Sequence, residues 1–102
     1  MEQKYYLKKQ IVEIFGLDDR FLDELEAEDL IRSHELEPGQ DRVFSREDVE
    51  RIRIITNLVR HLDVNLPGVE VILEMRSNMI RMQHQFDEIL SNLVEELKRR
   101  LV

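Results

Sequence analysis

The chain of 102 residues has room for one modest core, and its 42% apolar and 36% charged content is that of a folded, soluble, helix-rich protein rather than a disordered one. The absence of cysteine excludes a disulfide framework, a thiolate metal site and a cysteine nucleophile, and the three glycines form no phosphate-cradling loop. The formal net charge of −7 is concentrated, since residues 13–29 alone carry −7, a surface that repels nucleic-acid phosphates and attracts a basic protein face.

Leu7, Ile11, Val12, Ile14 and Phe15 recur at helical spacing. Gly16 follows where a helix end takes positive φ, so a first helix is expected over about residues 8–15. Asp18 is the candidate N-cap of a second helix, with Phe21, Leu22 and Leu25 on its buried face and Asp19, Asp23, Glu24, Glu26 and Glu28 outside. Two short helices around a glycine turn make a helix-turn-helix pattern. Leu30-Ile31-Arg32 and Arg42-Val43-Phe44 then flank Pro38-Gly39, the pattern of a small β-hairpin wing.

Ser45-Arg46-Glu47-Asp48 has the form of a capping box, and Val49, Ile52, Ile55, Leu58, Val59 and Leu62 follow at helical spacing, which predicts a third helix over about residues 46–62. Asp63-Val64-Asn65-Leu66 breaks it, and Pro67 suits the first turn of a fourth helix expected to bury Val69, Val71, Ile72 and Met75. From there Met75, Met79, Met82, Phe86, Ile89 and Leu93 are spaced by 4, 3, 4, 3 and 4, a heptad seam that Leu97 and Leu101 extend by four-residue steps. An amphipathic helix of this length has no partner of comparable length in the chain. A second copy is expected to supply one, in a homodimer whose interface is Met79, Met82, Phe86, Ile89, Leu93 and Leu97. The methionines also suit an adaptable surface for another protein, but heptad spacing favours the seam. The expected organisation is a compact domain over residues 1–75 and a dimerisation helix over residues 76–102.

Converging catalytic groups are thin. His34, His61 and His84 lie in three different elements, the pairs Asp87-Glu88 and Glu95-Glu96 are adjacent and diverge on a helix, and no serine has a recognisable histidine and acid. No enzyme activity, metal or cofactor is expected. No apolar run is long enough for a membrane span and the start lacks a signal peptide's apolar stretch, so a cytoplasmic location is expected.

Helix-turn-helix, wing, further helices and a C-terminal coiled coil resemble the element order of the MerR family of regulators. Leu30-Ile31 looks like the apolar pair entering that family's wing, Arg42-Val43-Phe44 like the Arg-x-aromatic that closes it, and Ser45-Arg46-Glu47-Asp48-Val49 like the start of its third helix. The resemblance implies a mostly α fold, a MerR-like winged helix-turn-helix with a small β-hairpin wing and a long C-terminal coiled-coil helix. DNA-binding members carry an Arg followed by aromatics in the second helix. Here Asp23 and Glu24 stand in that register.

A narrower resemblance is to the chaperone-modulator (CbpM-like) family, whose members bind the J-domain of a DnaJ-like co-chaperone and inhibit it. Asp63-Val64-Asn65-Leu66-Pro67-Gly68-Val69 is similar to a stretch of that family, with Leu66 where an aromatic often precedes the proline, and the acidic second helix fits as well. The resemblance implies that Asp18, Asp19, Asp23, Glu24, Glu26 and Glu28 meet the basic helical face of a J-domain. The alternative is a MerR-type DNA-binding regulator in which Lys8, Lys9, Arg20, Arg32 and Arg42 meet phosphates. For Arg42, an ion pair with neighbouring acids is the favoured reading, and Pro67-Gly68 is read as a helix start.

Overall fold

The computed structural model describes residues 3–101; the outermost residues 1, 2 and 102 of the two expected segments lie outside the described residues. In chain order it comprises β1 (Tyr5–Leu7), α1 (Lys8–Phe15), α2 (Asp19–Ala27), β2 (Val43–Ser45), α3 (Arg46–Leu62) and α4 (Leu66–Leu101). The architecture is mostly α, with one two-stranded antiparallel sheet and a long C-terminal helix, as a MerR-like winged helix-turn-helix requires. Contacts divide it into two compact units, Met1–Leu66 and Pro67–Val102.

The local signals in the sequence act where they stand. Gly16 closes α1 with φ +61°, and the Asp18 side chain accepts from the Arg20 N–H at 3.1 Å to open α2. Ser45 and Asp48 form a reciprocal box: Ser45 Oγ accepts from the Asp48 N–H, and Asp48 Oδ2 accepts from the Ser45 N–H at 2.9 Å. Asp63 ends α3 in the left-handed region, with φ +52°.

The wing is built differently from the expected hairpin. β2 pairs in register with the N-terminal β1, Tyr5 opposite Ser45 and Leu7 opposite Val43, and the 30–34 side contributes a single bridge. There His34 and Val43 exchange both backbone hydrogen bonds, at 2.7 and 2.8 Å. No strand forms at Leu30–Arg32, where Leu30 and Ile31 are both buried. The Leu30 N–H instead bonds back to the Leu25 carbonyl at 2.9 Å, after Asp29 has turned the chain at φ +58°.

The core of the first unit is Ile11, Leu22, Leu25, Phe44, Ile52 and Ile55, all essentially inaccessible. In the second unit α4 runs unbroken for 36 residues, about 54 Å at 1.5 Å per residue. Its first turns bury Val69 and Leu73, four residues apart on one stripe, while Val71 and Met75 lie on another stripe and are exposed, contrary to expectation. Among the described residues of α4 none after Leu73 is buried.

Truncating a closed core position leaves a cavity, so Ile52→Ala is expected to cost about 2–5 kcal/mol, read from the midpoint of urea denaturation. Asp63→Gly removes both a side chain from a left-handed position and a negative charge from a helix C-terminus. It is expected to raise the midpoint by the equivalent of up to about 1 kcal/mol in the same measurement.

Candidate functional site

The carboxylates of α2 do not form one surface. Leu22 and Leu25 fix the buried stripe, and helical geometry then distributes the acids on its two flanks. Asp19, Asp23 and Glu26, at i, i+4 and i+7, share one flank; Glu24 and Glu28 share the other with the half-buried ring of Phe21. Asp18 is spent on the cap.

The first flank carries its own counter-charge. Lys8, the first residue of α1, donates to Asp23 Oδ1 at 2.5 Å. Its pKa is raised above the ordinary 10.5, chiefly by that hydrogen bond, and further by the charges of Asp23, Asp19 and Glu26. Glu26 also accepts a 3.3 Å hydrogen bond from Ser33 Oγ, which itself accepts from Arg42 Nε at 2.7 Å. Arg42 thereby serves the wing: a second nitrogen donates to the Ser33 carbonyl at 2.8 Å, and its nearest carboxylate partner is Glu35 at 3.8 Å. The favoured ion pair is present but long, and two hydrogen bonds to Ser33 hold the side chain more closely.

A shallow groove of about 450 Å³ lies along this flank, with Leu7 and Phe44 among its lining residues. Three cations, Lys8, Lys9 and Arg42, line it together with the carboxylates of Asp23, Glu26 and Asp41. A balanced rim of this kind has little net attraction for phosphate. On the second flank the side chains of Glu24 and Glu28 are exposed and have no hydrogen-bond or ion-pair partner among the described residues, and the one cation of α2, Arg20, lies a turn before Glu24.

Lys8, a phosphate contact in the DNA-binding alternative, is bound instead to Asp23, a contact the sequence did not point to. It is 15 residues from Asp23 and no local pattern links them, since they meet only when α1 folds beside α2. His34, which the sequence offered no catalytic partner, has its Nε2 2.8 Å from Asp48 Oδ2, the oxygen that also accepts from Ser45 N–H and Oγ, so it fastens the wing to the start of α3. His61 and His84 are exposed on α3 and α4. Among the described residues no group of three or more acids and histidines is placed to hold a metal, and no helix is long and apolar enough to cross a membrane. The expected seam residues Met79, Met82, Phe86, Ile89, Leu93 and Leu97 line up on α4, all exposed.

A family model described as MerR HTH family regulatory protein matches residues 7–92, from the end of β1 well into α4. No curated protein matches the sequence.

Both members of the Lys8–Asp23 pair are more than a third exposed, at 38% and 64% of their side chains, so solvent screening limits its worth. Lys8→Met is expected to cost no more than about 1 kcal/mol in urea denaturation at pH 7 and low salt, and less in high salt. Because the lysine pKa is raised, the contribution is complete below pH 10.5 and is lost only as pH rises through the folded value, so it is flat across the neutral range.

Proposed function

The chain belongs to the MerR HTH family of regulatory proteins, and from that premise we propose that it acts on a protein rather than on DNA, as a chaperone modulator that occludes the J-domain of a DnaJ-like co-chaperone. The observation that carries this reading is the outer flank of α2. A helix that addresses a phosphate backbone needs cations there, and this one presents Glu24 and Glu28 beside Phe21. Carboxylates around a part-exposed aromatic suit the basic helical face of a J-domain, which the chaperone-modulator resemblance implies as the target.

The mechanism is competition and breaks no bond. Opposite charge steers the encounter and fixes orientation, while the aromatic and neighbouring apolar surface provide most of the affinity. A J-domain held on this flank has its basic face covered and is withheld from the chaperone that uses the same face. A homodimer formed through α4 would carry two such flanks. The cations of the DNA-binding alternative are less free than their number implies: Lys8 is committed to Asp23 and Arg42 to Ser33.

Titration of the isolated J-domain of a DnaJ-like co-chaperone from the same organism into the full chain tests the reading. Glu24→Lys with Glu28→Lys is expected to weaken binding at least tenfold, and the parent affinity to fall as salt is raised. Asp23→Asn, on the self-compensated flank, is expected to change it less than threefold. No binding of the J-domain by the parent chain, together with a salt-sensitive shift of duplex DNA, would contradict the proposal and favour the DNA-binding alternative.

A further inference from the structure

The side of α2 gives the core only two buried residues, Leu22 and Leu25, out of nine, a narrow stripe about which a short helix can rock. Both ends of α2, however, are tied to α3 through arginine. Arg60 donates from Nη1 to the Phe15 carbonyl at 2.9 Å and from Nη2 to the Gly16 carbonyl at 2.6 Å, in the turn that leads into α2. Arg51 donates from Nε to the carbonyl of Leu30, just beyond the end of α2. We propose that Arg51 and Arg60 are positioning residues that together fix the direction in which α2 presents Phe21, Glu24 and Glu28.

The chemistry of the contacts suits that use. Phe15 is the last residue of α1 and Gly16 its C-cap, so their carbonyls are among those that a helix end leaves without an internal partner. One planar guanidinium meets both, and its charge complements the negative end of the α1 dipole. The Leu30 N–H already bonds back to the Leu25 carbonyl at 2.9 Å, so Arg51 holds a residue whose amide is itself tied to α2. Neither guanidinium has a carboxylate partner among the described residues; both bind backbone. Arg53, by contrast, pairs with Glu50 of its own helix.

The spacing matches as well. Positions 51 and 60 are separated by about 13.5 Å along α3, and the nine residues of α2 rise by the same distance. The start of α2 is thus tied to the C-terminal half of α3 and its end to the N-terminal half, which braces the helix along its length. For its functional consequence the inference rests on the binding reading above, to which it adds how the flank is oriented. A flank fixed before the encounter loses less freedom on binding. Lysine at these positions would keep the charge but has neither the planar fork that meets two carbonyls nor the Nε–H that meets Leu30.

Ala27→Cys and Asn57→Cys place spin labels at exposed positions of α2 and α3 in a full chain that has no other cysteine. Pulsed dipolar spectroscopy of this chain, diluted into unlabelled chain, reads distances within one copy only. Arg51→Lys with Arg60→Lys is expected at least to double the width of the α2–α3 distance distribution and to lower the affinity for an isolated J-domain at least fivefold. Arg53→Lys is expected to change neither. Circular dichroism shows whether the variants are folded, and Arg60→Lys alone, expected to widen the distribution by a smaller factor, replaces the double variant if that one is not. An unchanged width in a folded variant would overturn the clamp, and a widened distribution with unchanged J-domain affinity would overturn its positioning role. A parent chain that binds no J-domain would contradict the function proposed above, while the distance distribution still decides the clamp.

Discussion

Three consecutive residues, Val43, Phe44 and Ser45, hold the first unit together. Val43 exchanges both its backbone hydrogen bonds with His34 at the base of the wing and lies opposite Leu7 in the sheet register, while Phe44 is inaccessible in the core and Ser45 caps α3. Because β1 passes into α1 without a linker, fixing Leu7 also fixes Lys8, and with it the ammonium that lies against α2. The charge pattern of the candidate surface is in this sense a consequence of the sheet register. A slip of one residue would reverse every side chain of β2 and remove Phe44 from the core.

That placement sorts the acids of α2 into two groups with different uses. Asp19, Asp23 and Glu26 surround Lys8, and through Ser33 the group extends to Arg42, so this flank is an internal network joining α1, α2 and the wing. Glu24 and Glu28 lie outside it, beside Phe21, and their charge is available to another molecule. The net charge of residues 13–29 therefore overstates the free charge of the surface. The proposed binding flank is smaller than the sequence implied, and it is combined with an aromatic group that can be desolvated at low entropic cost.

The three shorter helices were legible because their signals are local: a glycine in the left-handed region at Gly16, an aspartate cap at Asp18, a capping box at Ser45 and Asp48. What was not legible depends on chain segments far apart. β1 is three residues long and gives too short a pattern to read, and its pairing with β2 spans nearly forty positions. The Lys8–Asp23 contact is tertiary in the same way. At the start of α4, Val69, Val71, Ile72, Leu73 and Met75 offer two stripes of similar apolarity, and composition does not say which one the fold covers; the structure buries Val69 and Leu73.

In the proposed function the α2 surface of this MerR-type protein is turned from phosphate toward a basic protein face. The most direct test is a competition measurement with the J-domain, its chaperone and the full chain. Mutual exclusion is the predicted result: the apparent affinity of the chaperone for the J-domain falls in proportion to added chain, and no complex contains all three. A stable ternary complex, or an affinity that the chain leaves unchanged, would contradict occlusion.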